Sequence, residues 1–182
     1  MLETLKKILG FLKQPSIHKD PNTDFSYRLN VFGKLLAISI ITGFIISPLF
    51  VFLEYVNLID ADAHKLDKMF KGMSNLKILL LGAILAPILE EVLFRAPLTL
   101  CKSKIAFKIL FYTLTILFGF IHITNFEIST NVILLSPLLV LPQILLGVYL
   151  GFIRVRFGLL WSICLHAAYN GILITLSFLE NF

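Results

Sequence analysis

Long apolar runs separated by short polar stretches dominate this chain. Each run is close to the about 20 residues that an α-helix needs to cross the hydrocarbon of a bilayer. There are five: about Leu35 to Leu53, a stretch from Ile78 past Pro87 to Arg95, about Ile109 to Ile123, Val132 to Ile153, and Phe157 to Leu179. The pattern predicts an all-α membrane protein with about five transmembrane helices.

The first 15 residues have a different pattern. Leucine and isoleucine recur there at helical spacing among lysines; the apolar set is Leu2, Leu5, Ile8, Leu9 and Leu12, and the basic set is Lys6, Lys7 and Lys13. This pattern predicts an amphipathic helix lying at the membrane interface. We therefore divide the chain into residues 1–29, the amphipathic helix and its linker, residues 30–76, the first transmembrane helix and a polar loop, and residues 77–182, the core.

Composition supports the membrane class. Of the 182 residues, 58% are hydrophobic and 15% are charged, and the mean hydropathy is +0.90. A soluble domain has about 25% charged residues. The net charge is +5, but the basic residues form no dense patch, so we expect no nucleic-acid partner and expect the lipid bilayer instead.

The distribution of basic residues predicts an orientation. Lysine and arginine are concentrated in the N-terminal arm, in the connection with Lys102, Lys104 and Lys108, and at Arg154 and Arg156. The connection after the third segment and the C-terminus have none, whereas the polar loop at residues 54–77 has four lysines offset by acids. The positive-inside rule places the N-terminus in the cytoplasm. We expect a multi-pass protein of a bacterial plasma membrane.

A few polar side chains interrupt the apolar segments, where an ionisable group is costly and needs a partner or a purpose. They are Glu90, Glu91, Arg95, His122, His166 and Asn170. Glu91 and Arg95 are four residues apart and share a helix face, as do His166 and Asn170. Glu90 is rotated by about 100° from Glu91 and points elsewhere.

These groups have complementary chemistry if they converge. A carboxylate accepts a proton from water, an imidazole shares it, and an imidazole beside an amide donates hydrogen bonds to an oxyanion. Such a set hydrolyses an amide bond with water as the nucleophile. Ser162 lacks the usual context of a nucleophilic serine, and no HExxH motif is present. Glu90, His122 and His166 are also suitable zinc ligands.

Three short motifs resemble those of the CPBP family, the CAAX-protease and bacteriocin-processing (Abi) membrane proteins. They are EExxxR at Glu90–Arg95, FxxxH at Phe118–His122 and HxxxN at His166–Asn170. The resemblance covers about Lys77 to Leu179 and makes residues 77–182 a CPBP-like catalytic core.

The resemblance implies a glutamate-type intramembrane endopeptidase that acts on a membrane-associated peptide or protein. Glu90 would activate water with help from His122, and His166 and Asn170 would stabilise the oxyanion. Glu91 and Arg95 would be a supporting pair, and no cofactor would be required. We expect the site to open toward the cytoplasmic half of the bilayer.

Two alternatives remain open from the sequence. The first is a zinc-dependent version of the same peptidase, with Glu90, His122 and His166 as the ligands. The second is a non-catalytic immunity or scaffold protein of the same fold. The substrate and the oligomeric state are not determined by these patterns.

Overall fold

The computed structural model describes residues 1–59, 70–101 and 103–180, in which every regular element is helical. The α-helices there are α1 (Leu2–Lys13), α2 (Phe25–Tyr55), α3 (Asn75–Leu79), α4 (Ala86–Phe94), α5 (Lys104–Ile121), α6 (Thr130–Leu139), α7 (Leu141–Phe157) and α8 (Leu159–Glu180). A π-helical segment, Leu80–Leu85, joins α3 to α4. Short 3-10 turns, Ala96–Thr99 and His122–Asn125, follow α4 and α5.

Polar residues in the connections begin several of the helices. The side chains of Asp24, Ser74, Ser103 and Ser129 each accept a hydrogen bond from a backbone N–H three residues later. Such caps satisfy N–H groups that the first turn of a helix leaves unpaired. The cap at Asp24 begins α2 at Phe25, ten residues before the apolar run from which the helix was predicted.

Helix α7 lies at the centre of the bundle and packs against α1, α2, α5 and α8. Every residue from Leu146 to Ile153 is buried, so the helix is enclosed on all sides. Glycine permits this packing, because a Cβ on Gly151 would lie 2.6 Å from Cε2 of Phe111 on α5. Gly151 therefore allows α7 to approach α5 closely.

The predicted N-terminal amphipathic helix is present, and one side of it packs on the bundle. The Phe11 ring is buried, with its centroid 5.1 Å from that of Phe111 and 5.5 Å from that of Phe152. The Tyr112 hydroxyl donates a hydrogen bond to the Leu12 carbonyl at 2.6 Å. Leu2 and Leu9 remain exposed on the other side. Helix α1 thus shares the hydrophobic core while it offers an apolar edge to the membrane interface.

The all-α membrane class is confirmed. In the described part of the chain, four helical stretches are long and apolar enough to cross a bilayer: Phe25–Tyr55, Lys104–Asn125, Thr130–Phe157 and Leu159–Leu179. Their outer surfaces are apolar, with large side chains such as Ile45, Ile105 and Leu134 well exposed. Water would disfavour so extensive an apolar surface, whereas lipid accommodates it.

Two of the predicted segments differ in detail from single straight helices. The second is helical from Asn75 to Phe94, but the π segment divides it, and it is not among the four stretches above. The fourth is divided at Val140 into α6 and α7, where Pro142 lacks the N–H that would continue the helical ladder. Lys102 and the charged residues of the predicted polar loop at positions 60–69 lie outside the described residues.

Candidate active site

The carboxylate of Glu90 lies between two imidazoles. Its Oε2 atom is 3.9 Å from Nε2 of His122 and 3.8 Å from Nε2 of His166. Glu90 is on α4, His122 follows the end of α5, and His166 is on α8. Three separate elements therefore bring together the acid and the two histidines that the sequence singled out.

Hydrogen bonds at Nδ1 orient both rings. Nδ1 of His122 lies 2.7 Å from the Phe118 carbonyl oxygen, one turn earlier in the chain. Nδ1 of His166 lies 3.1 Å from Oε1 of Glu91. A carbonyl and a carboxylate oxygen only accept hydrogen bonds, so both Nδ1 atoms donate. Both Nε2 atoms are thereby directed toward Glu90.

Glu91 and Arg95 form the predicted ion pair beneath the histidines. Nη1 of Arg95 is 3.6 Å from Oε1 of Glu91, and the two side chains are 2% and 0% exposed. A buried charge is costly unless an opposite charge is close. Since Glu91 also accepts the hydrogen bond from His166, the pair is connected directly to the site.

Phe118 fills the space between Arg95 and the histidines. The Arg95 guanidinium lies 3.8 Å from the centroid of the Phe118 ring, in a cation–π contact. The same ring meets His122 and His166 at an angle, with centroids 4.9 Å and 5.7 Å apart. A shift of this one ring would therefore disturb both imidazoles.

Asn170 reaches the π-helical segment. Its Nδ2 donates a hydrogen bond to the Gly82 carbonyl at 2.9 Å. Gly82 allows the close approach of α8, because a Cβ there would lie 2.8 Å from Cδ1 of Ile174. Asn170 is thus anchored by one amide hydrogen, the second has no partner among the described residues, and Asn170 also lines the neighbouring cavity.

A cavity of about 560 Å³ adjoins these groups. Four of the predicted residues line it, Glu90, His122, His166 and Asn170, whereas Glu91 and Arg95 do not. The remaining lining is mostly aliphatic, with additional polar groups from Asn125, Gln143 and Tyr169. Sequence reasoning missed these three, because an uncharged polar residue in or beside an apolar segment carries little signal.

The cavity occupies one half of the bundle. Its lining includes Asn125 after α5, Pro142 at the start of α7, and Ile174 toward the end of α8. The basic residues Lys104 and Arg156 lie at the other ends of α5 and α7. The basic residues and this part of the cavity lining are therefore at opposite ends of α5 and α7, and the expected cytoplasmic opening of the site stays a prediction.

Ser162 is unsuited to act as a nucleophile. Its side chain is fully buried, its hydroxyl donates to the Leu159 carbonyl at 3.0 Å, and it does not line the cavity. The described residues include no group of three or more His, Cys, Asp or Glu side chains that could hold a metal ion. Glu90 and the two histidines, in contrast to Ser162, do line the cavity.

A helical membrane bundle with a carboxylate and two imidazoles at an internal cavity has the features of an intramembrane hydrolase. Residues 72–172, more than half of the chain, match the family described as type II CAAX prenyl endopeptidase Rce1-like, and the chain belongs to this family. The match includes all three motifs and confirms the resemblance to the CAAX-protease group. Searches among curated proteins and solved structures found no match. The chain is thus a multi-pass member of a family of membrane proteases.

Proposed function

We propose that this protein is an intramembrane endopeptidase in which Glu90 activates a water molecule to cleave a peptide bond. One observation carries the proposal: the Glu90 carboxylate faces Nε2 of His122 and Nε2 of His166 at the wall of a cavity. A water molecule at the usual hydrogen-bond distance of about 2.8 Å can contact Glu90 and one imidazole at the same time, because they are 3.8–3.9 Å apart.

The reaction follows from the acceptors available at this point. Water donates one hydrogen to Glu90 and the other to Nε2 of His122, which is an acceptor in the neutral ring because Nδ1 holds the proton. As the water oxygen bonds to the scissile carbonyl carbon, its proton passes to Glu90. When the tetrahedral intermediate collapses, the C–N bond breaks and Glu90 gives that proton to the leaving amine.

Oxyanion stabilisation is assigned to His166 and Asn170. A protonated His166 donates from both nitrogens, to Glu91 through Nδ1 and to the oxyanion through Nε2. The second Nδ2 hydrogen of Asn170 is available for the same purpose. Glu91 and Arg95 then act as positioning residues, since neither lines the cavity.

The substrate in this proposal is a membrane-associated peptide or protein. Most of the cavity lining is aliphatic, for example Leu85, Leu89 and Leu146, which suits a segment that arrives from the bilayer. Glu90, His122 and His166 meet at one place in this lining, where the peptide bond would be cleaved. We retain a bacterial plasma membrane with a cytoplasmic N-terminus as the proposed location.

The proposal is tested by reconstituting the full chain in liposomes with membrane-tethered peptides, with and without a prenyl group. We expect Glu90→Gln to lower kcat by about 10²- to 10⁴-fold, the usual contribution of a general base. His166→Ala should lower it by about 10²- to 10³-fold, as for loss of an oxyanion donor. Glu3→Gln and His18→Ala are matched controls, because both residues are exposed and distant from the cavity. Equal cleavage by Glu90→Gln and wild type would contradict the proposal.

We further propose that catalysis requires no metal ion. The described residues offer no three-ligand group with metal geometry, and the Glu90 site already has a base and an orienting acceptor for water. The expected result is that purified protein retains its kcat after prolonged dialysis against a chelator. Loss of activity that added zinc restores, with one zinc per chain by elemental analysis, would instead favour the zinc-dependent enzyme.

A further inference from the structure

Gln143 has a buried polar atom that no other described residue uses. Gln143 lines the same cavity as Glu90 and His166. Its Oε1 atom is buried and has no hydrogen-bond partner in the described part of the chain. A carbonyl oxygen removed from water and left unpaired is costly, so its presence needs an explanation.

Among the described residues, most of the other buried side-chain atoms without a hydrogen-bond partner belong to residues outside the cavity lining, whereas Gln143 is part of that lining. Six buried side-chain atoms lack a hydrogen-bond partner among the described residues, and they belong to Glu90, Glu91, Arg95, Gln143 and Arg156. Of these residues, only Glu90 and Gln143 line the cavity. Glu90 is the proposed base, so Gln143 is the other cavity-lining residue in this set with an unpaired polar atom.

A role in holding the bundle together does not account for Gln143. No described hydrogen bond joins its side chain to another residue, and a Leu or Met of similar size would fill the same space without a polar cost. The residue lies in the first turn of α7, just after the break at Val140 that divides the fourth apolar segment. Gln143 is thus a polar residue just after the break, and it lines the cavity.

A peptide backbone is the ligand that fits a carboxamide in a membrane. Whichever way the amide is turned, it presents one acceptor and two donors, and a backbone amide presents the complementary C=O and N–H. An extended peptide inside a bilayer has unpaired backbone groups, each of which must find a partner. We propose that Gln143 binds a backbone amide of the peptide substrate next to the scissile bond, an inference that rests on the proposed peptidase function.

Kinetics of the reconstituted full chain give the first test. Gln143→Leu removes the hydrogen-bonding groups and retains the size, so it should raise KM by about three- to tenfold, as for loss of a neutral hydrogen bond, with little change in kcat. Gln14→Leu is the matched control, because Gln14 is exposed at the end of α1 and far from the cavity. Gln143→Met is a second variant of similar length. An unchanged KM in folded Gln143→Leu and Gln143→Met would overturn the assignment.

A backbone scan of the substrate distinguishes a contact between Gln143 and the substrate from a purely structural role of Gln143. A series of peptides is made in which one amide at a time is replaced by an ester, which removes a single N–H. Binding of each peptide is measured in the Glu90→Gln background and again with Gln143→Leu added. At one position beside the scissile bond, the ester should weaken binding by about three- to tenfold with Gln143 present and have no effect without it.

The outcomes separate this inference from the proposed function. If the ester effect is the same with and without Gln143, or if no position shows an effect when Gln143 is present, the contact with the backbone does not exist. Those results leave the role of Glu90 intact, provided that Glu90→Gln abolishes cleavage. Cleavage by Glu90→Gln at the wild-type rate would overturn the proposed peptidase function itself.

Discussion

Gly147 determines how closely α7 can approach the residues beneath the site. A Cβ at this position would lie 3.2 Å from Nη2 of Arg95 and 3.2 Å from Cδ1 of Phe118. Phe118 in turn contacts both His122 and His166. One missing methyl group thus permits the arrangement in which a guanidinium, a phenyl ring and two imidazoles pack together.

We predict that Gly147→Ala impairs catalysis although it adds only one methyl group. Phe118, Arg95 and Thr115 must give by a few tenths of an ångström to admit the methyl group, and a shift of Phe118 would move the imidazoles with it. We expect a loss of stability of about 1 kcal/mol, typical of mild overpacking, together with a several-fold lower kcat. The measurements are kcat on a membrane-tethered peptide and thermal unfolding of the purified protein.

The matched control is Gly33→Ala. Gly33 lies within α2, and a Cβ there meets no atom within 4 Å. Alanine is a better helix former than glycine by about 0.5–1 kcal/mol, so this variant should be neutral or slightly stabilised. A Gly147→Ala protein with the kcat of Gly33→Ala would show that Phe118 does not transmit the change.

At the scale of single residues, charge made most of the site predictable from the sequence. Glu90, His122 and His166 stand out because ionisable groups are rare in membrane-spanning segments. Gln143 is uncharged and therefore did not stand out. The hydrogen bond from His166 to Glu91 joins residues that are 75 positions apart, and no spacing rule predicts such a contact.

Among the helices, α1 is tied to the bundle by more than its amphipathic pattern indicated. Phe11 was absent from the apolar set used to predict this helix, yet its ring is 4% exposed and contacts Phe111 and Phe152. The pattern identified the helix because leucine and isoleucine recur with helical spacing. It could not show that the helix packs on protein, since lipid and a protein core attract the same apolar side chains.

We predict that Phe11→Ala destabilises the whole protein. Loss of a buried phenylalanine side chain costs about 3–5 kcal/mol, because it removes the contacts to Phe111 and Phe152 and leaves a cavity. Leu9→Ala is the control, since Leu9 is on the same helix and is 49% exposed. Thermal unfolding in detergent should show a large drop for Phe11→Ala alone. Equal melting temperatures for the two variants would mean that α1 only rests on the membrane surface.

The π-helical segment is a structural element that the sequence could not predict. Leu80–Leu85 reads LLGAIL, an apolar run with no residue that distinguishes a π turn from an α turn. Gly82, whose carbonyl accepts the hydrogen bond from Asn170 on α8, lies within this segment. Hydrophobic runs could therefore predict which segments are helical, but they could not predict the irregular turn that precedes Glu90.

In the whole molecule, the cavity and the basic end lie at opposite ends of the helices. Thr130 begins α6 at the cavity end, whereas Lys104 begins α5 at the basic end. The described cavity end has Lys71 and Lys77, but the other end has far more lysine and arginine. The positive-inside rule therefore predicts that the basic end lies in the cytoplasm and that the Asn125 end of the cavity faces the outer half of the bilayer.

We predict that a water-soluble maleimide added to intact cells labels Thr130→Cys but not Lys104→Cys, in a chain with Cys101 and Cys164 replaced by Ser. Both test positions are exposed and lie outside the cavity lining. Permeabilised cells, in which both cysteines should react, provide the control. Labelling of Lys104→Cys alone in intact cells would reverse the orientation and open the cavity to the cytoplasm. In either orientation, a membrane-impermeant peptide should be cleaved only when it is added on the side that labels Thr130→Cys, because the Glu90 cavity extends toward that end of the bundle.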